Sequence, residues 1–180
     1  MGILLFLLTF NVPTDKVEER PYCHVNKITP IETFAVGMPE QKAEWKEAPN
    51  IRVCSDTLVT LSRTYRAIDY WERLGYDFGI VKKDNLSTCM NPRRGEIVIT
   101  LPESGFSDNH MGATRLYTDV KSGDIVKAKI FILPKHARKE RVLEHEIGHA
   151  LGWSHYRQRY HMMHPSWMYG GFDSYGLRHK

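Results

Sequence analysis

His145-Glu146-Ile147-Gly148-His149-Ala150-Leu151-Gly152-Trp153-Ser154-His155 is the stretch on which the reading of this chain turns. Two histidines four positions apart on a helix lie one above the other on one face, so both imidazoles can reach a single ion. Glu146, next to His145, projects close enough to hold a water beside that ion without ligating it. Gly152 suits the left-handed conformation that ends a helix. The chain then turns, and His155 arrives as a third nitrogen donor. Three protein ligands leave one coordination position open, as hydrolytic zinc sites require.

Working outward, the spacing of Val142, Leu143, Ile147 and Ala150 predicts a helix from about Arg138 to Leu151. Before it, Val126, Ala128, Ile130 and Ile132 alternate with Lys127 and Lys129, which predicts a strand over 125–133 with one face buried and one wet. Pro134 closes that strand. A second strand, 113–118, precedes Lys121-Ser122-Gly123-Asp124, a good hairpin turn. Residues 78–81 and 96–101 read as further strands, the latter stopped by Pro102. Ile51-Arg52-Val53-Cys54 is strand-like, and Ser55 or Asp56 can cap the helix after it. That helix would bury Leu58, Leu61, Tyr65, Ile68, Trp71 and Leu74, with Gly75 ending it. This order of elements predicts an α/β (α+β) fold, a twisted mixed sheet with two main helices.

Toward the N-terminus, Pro13, Pro21, Pro30, Pro39 and Pro49 oppose long helices. The chain therefore divides into an apolar N-terminal segment, 1–20, a Pro-rich leader, 21–49, laid over or leading to the rest, and a domain over 50–180. The apolar run Ile3 to Leu8 is too short to span a bilayer. It reads as the hydrophobic part of a secretory signal, a buried strand, or an anchor that docks on a larger assembly. No transmembrane helix is expected elsewhere. With 180 residues, 42% hydrophobic and 26% charged, the composition is that of a globular protein. A net charge of +4 does not call for nucleic acid as partner. Cys23, Cys54 and Cys89 are too few for a disulfide framework, and their odd number leaves at least one unpaired within a monomer.

His-Glu-x-x-His-x-x-Gly-x-x-His, filled here by residues 145–155, resembles the zinc signature of the metzincin metallopeptidases. Those proteins also place a methionine turn under the metal. Met163, eight residues after His155, is followed by Pro165 and Trp167, which is similar to the matrixin form of that turn. Met168, in Ser166-Trp167-Met168, is the rival. The rival zinc class, the gluzincins, uses a downstream Glu as third ligand. No Glu follows Glu146, and Asp173 is the only later acid.

The resemblance implies a zinc-dependent endopeptidase that acts on polypeptides, secreted or carried on a larger particle. His145, His149 and His155 would hold one Zn2+. Glu146 would be the general base that takes a proton from water and passes it to the leaving amine. The strand over 125–133 would be the substrate-pairing edge, with Ile130, Phe131, Ile132 and Pro165 near the substrate, and Tyr169 or Tyr175 could support the oxyanion. The C-terminal subdomain would be small. The alternative is a metzincin-fold binding or structural module of a larger assembly that keeps its zinc with little activity.

Cys23, in Arg20-Pro21-Tyr22-Cys23-His24, bears a poor likeness to the matrixin cysteine switch; a free or buried cysteine is the plainer reading. His110 with Asp108 and Asn109, and His161 with His164, could hold a second ion or simply be polar loop residues. The run 135–141 is basic, but Glu140 and Glu144 intersperse it, which suits a solvated helix face rather than a nucleic-acid patch.

Overall fold

The computed structural model describes residues 17–19, 23–26, 37–89, 91–102, 106–107 and 109–179. Seven strands form one sheet: β1 (Val17–Glu19), β2 (Cys23–Asn26), β3 (Asn50–Cys54), β4 (Val81–Asp84), β5 (Glu96–Thr100), β6 (His110–Asp119) and β7 (Ile125–Ile132). The helices are α1 (Leu61–Glu72), the short α2 (Leu86–Cys89) and α3 (Val142–Ala150). Strand order is β4-β3-β5-β7-β6, and β1 and β2 both pair with the far side of β6. β4, β3, β5 and β7 run parallel, whereas β6 is antiparallel to β7. The fold is therefore mixed α/β, compatible with the α+β class.

Burial follows from this order. Interior parallel strands are covered on both faces and read as near-continuous apolar runs. One face, with Ile51, Val53, Ile97, Ile99, Ala128, Ile130 and Ile132, packs in a single core with Ile68 and Trp71 of α1 and Ile147 of α3. On the other face Cys54, Cys89 and Val98 cluster, and a disulfide joins Cys54 to Cys89. The Asp119–Ile125 connection is a built turn. Asp119 Oδ1 accepts the N–H groups of Lys121 and Ser122, and Gly123 adopts φ +78°.

Several expectations need correction. β7 lies between β5 and β6, so 125–133 is not an edge; its backbone groups are used on both sides. Lys129 is not wet either but 6% exposed, with Nζ 5.3 Å from the centre of the Phe131 ring. The first helix begins later than expected. Thr60, not Ser55 or Asp56, caps it, its Oγ1 accepting the N–H of Arg63. Leu58 and Tyr65 are exposed, and the buried face is Arg63, Thr64, Ala67, Ile68 and Trp71.

α3 also starts later, at Val142 rather than Arg138. Arg141 before it has φ +66°, and residues 134–136 form a separate 3-10 turn that begins at Pro134. Glu144 is not on a solvated face. It is 6% exposed and accepts both terminal nitrogens of Arg63, and Trp71 Nε1 donates to its carbonyl at 2.8 Å. This buried pair and the indole bond fasten α3 to α1. The strand expected at 78–81 instead occupies Val81–Asp84.

Residues 37–49 lie across the C-terminal end of α3. A helix end leaves its last carbonyls without partners, and this strap supplies donors for them. Trp45 Nε1 donates to Ala150 O at 2.8 Å, Gln41 Nε2 to Leu151 O at 2.9 Å, and Lys42 N to Gly152 O at 2.9 Å. Gly152 is required twice over. Its φ is +95°, and a Cβ there would lie 1.9 Å from Ala43 O. The apolar run 1–10 lies outside the described residues, as does Asp108. No helix among the described residues is long and apolar enough to cross a membrane.

Candidate metal centre

α3 carries His145, Glu146 and His149, all buried, because this helix lies inside the molecule between the sheet, α1 and the C-terminal loops. His155 comes from the bend beyond Gly152 and is half-buried. The chain on either side of it is pinned: Ser154 N donates to Glu40 O at 2.9 Å and Tyr156 N to Met163 O at 2.9 Å. One ring nitrogen from each of His145, His149 and His155 lies within 4.8 Å of the others. This is the only such group of three His, Cys, Asp or Glu side chains among the described residues.

Hydrogen bonds fix which nitrogens point inward. His145 Nδ1 bonds Met162 O at 2.8 Å, and His149 Nδ1 bonds Trp153 O at 2.7 Å. A carbonyl only accepts, so both Nδ1 atoms carry the hydrogen and both Nε2 atoms present lone pairs. His145 Nε2 is buried with no hydrogen-bond partner, and His149 Nε2 is 3.1 Å from His155 Nε2. A proton on His155 can bridge that last pair, and so can a shared cation. Metal–nitrogen bonds of about 2.0–2.1 Å in a tetrahedral site put ligand nitrogens roughly 3.3 Å apart. The donor set therefore fits a metal ion. Burial, and next the neighbouring His155, push His145 well below the usual histidine range, so it stays in the neutral form that ligates; the Met162 carbonyl opposes this.

Glu146 is 0% exposed. Its Oε2 accepts from Thr114 Oγ1 at 2.7 Å, while Oε1 has no hydrogen-bond partner. Burial pushes its carboxyl up to about 8 against the opposing pull of the Thr114 hydroxyl. A cation held by the histidines would draw it back down.

Beneath the helix, Met163 is fully buried, and a Cβ on Gly148 would lie 2.4 Å from Met163 Sδ. Gly148 thus lets the methionine pack flat against α3, one residue before His149. Met168, the rival for that role, is 68% exposed. Pro165 is buried in the same turn. Ile130, Phe131 and Ile132 are no more than 1% exposed. As interior positions of β7 they do not offer the free backbone expected of a substrate-pairing edge. The one long strand with a side turned away from the central sheet is β6, and β1 and β2 occupy that side. Cys23 begins β2, opposite Thr114.

The other histidines have local roles. His161 Nδ1 accepts the N–H of Met163, and its Nε2 bonds Tyr175 O at 2.9 Å. His164 Nδ1 accepts the N–H of Ser166 at 3.0 Å. Both hold the turn's shape. The Tyr169 ring lies between His164 and the Arg159 guanidinium, and Tyr175 is 51% exposed. Reasoning from sequence missed Thr114 and Gly112 of β6. A threonine inside a strand gives no signal. A glycine there does, since it marks close approach by another group.

The chain matches no known family, no curated protein and no solved structure.

Proposed function

We propose that this chain is a zinc-dependent endopeptidase of the metzincin kind, acting on polypeptides. The observation that carries this reading is three ring nitrogens within 4.8 Å of one another, on His145, His149 and His155, with the buried carboxyl of Glu146 on the same helix keeping one oxygen without a partner. The methionine packed under α3 and the strand order with an antiparallel β6 support it as well. A zinc ion in this donor set supplies Lewis acidity, activating water and polarising a peptide carbonyl.

The protein's own groups do the rest. Met162 O and Trp153 O hold two imidazoles in the ligating tautomer. Glu146 takes the water proton on its free oxygen and delivers it to the leaving nitrogen. Extended substrate adds as a strand to the outer side of β6, the place that β1 and β2 take in this structure. Pro165 lies in the loop that would form the opposite wall. The Cys54–Cys89 disulfide suits a secreted or particle-borne protein, because such bonds persist in oxidising surroundings.

A second reading is a binding module of a larger assembly with zinc kept for structure. It draws on the leader strands that cover β6. Incubation with an unfolded protein, with and without a chelator, decides between them. Chelator-sensitive cleavage is expected, and Glu146→Gln should keep fold and zinc while losing turnover by at least about 100-fold. Zinc-dependent melting without cleavage would favour the assembly role.

A further inference from the structure

Glu146 is held from β6, not from its own helix. Thr114 and Gly112 lie two apart on that strand, so both face α3. Thr114 is 1% exposed, and its hydroxyl is 2.7 Å from Glu146 Oε2 and 3.0 Å from Glu146 O. A hydroxyl has one proton to donate. The shorter contact assigns it to Oε2. At Gly112 a Cβ would lie 2.9 Å from both Cγ and Oε1 of Glu146, and 3.0 Å from Ile132 Cδ1. Ile132 is itself 1% exposed, so no neighbour can give way easily.

We propose that Thr114 and Gly112 are positioning residues for Glu146, the hydroxyl holding one carboxylate oxygen while the missing side chain makes room for the other. The inference rests on the peptidase reading for its kinetic consequence but not for its structural one. A carboxylate on a long side chain samples several rotamers. Pinning Oε2 and clearing space for Oε1 leaves one oxygen without a partner, held in a fixed place. Neither residue touches substrate in this account; both act through Glu146.

The test uses the full chain with Thr114→Val, Thr114→Ser and Gly112→Ala. Two readouts are taken. One is the side-chain carboxyl carbon resonance of Glu146 by NMR, assigned with Glu146→Gln, with zinc and without metal. The other is kcat and KM for cleavage of an unfolded protein. Thr114→Val and Gly112→Ala should move or broaden that resonance in both metal states. They should lower kcat on the order of 10- to 100-fold, with KM changed less than about twofold. Thr114→Ser, which keeps the hydroxyl, should restore both.

An unchanged resonance and kcat in Thr114→Val overturns the proposal. So does an equal loss in Thr114→Ser, which would mean that the methyl's packing matters and the hydroxyl does not. If Thr114→Val does not fold, Gly112→Ala decides by the same two readouts. If the wild-type chain cleaves nothing while the resonance still moves in the variants, the peptidase reading falls and the positioning of Glu146 stands.

Discussion

His161 shows what a single residue contributes beneath the candidate metal centre. It is fully buried, accepts the Met163 N–H, and bonds the Tyr175 carbonyl, so it ties together the two halves of the C-terminal loop. Burial lowers its proton affinity, with the Tyr175 carbonyl and Asp173 opposing. The unfolded chain takes up a proton at His161 more readily than the folded one does, so this residue's share of stability is complete above the ordinary histidine range and is lost as pH falls through it. Metal-free protein should therefore melt lower at about pH 5.5 than at about pH 7.5. His161→Gln should narrow that gap. Melting curves of both proteins at the two pH values check this, and an unchanged gap would remove His161 from the account.

Among the elements, α1 and α3 show how far the sequence could be read. The helix of the candidate ligands was legible because its histidines recur at helical spacing beside a glycine stop, and Gly152 does adopt φ +95°. Its start was not. Arg141 takes a left-handed conformation that periodicity cannot foresee, with its guanidinium 4.7 Å from the centre of the Trp167 ring. The buried face of α1 was misjudged for a related reason. Arg63 faces inward because Glu144, eighty-one positions away, sits opposite the guanidinium. No local pattern announces such a partner. The edge at β7 was misplaced because strand order across a sheet is a long-range property. The pair itself makes a prediction. Arg63→Ala strands a buried carboxylate and should cost about 3–5 kcal/mol, whereas Arg63→Met with Glu144→Leu should be close to neutral. Denaturant unfolding of the two variants separates a stabilising bridge from one that only fixes the helix in place.

At the scale of the whole molecule, one sheet carries α1 and α3 on one face and the Cys54–Cys89 bond on the other, and residues 37–49 strap the end of α3. The disulfide closes a loop of 35 residues that contains α1 and β4. Chain-entropy reasoning gives it about 3–4 kcal/mol, so Cys54→Ser with Cys89→Ser should lower the melting midpoint by roughly 7–14 °C. Calorimetry of the double variant measures the shift, and a midpoint within about 2 °C of wild type would deny the bond this role. The strap has another consequence. Gly37, Gln41 and Trp45 bond partners 119, 110 and 105 positions further on. During synthesis those early residues leave the ribosome while the helix they close is still unmade. The three imidazoles cannot come together until translation has passed His155, long after the residues that strap their helix have left the ribosome.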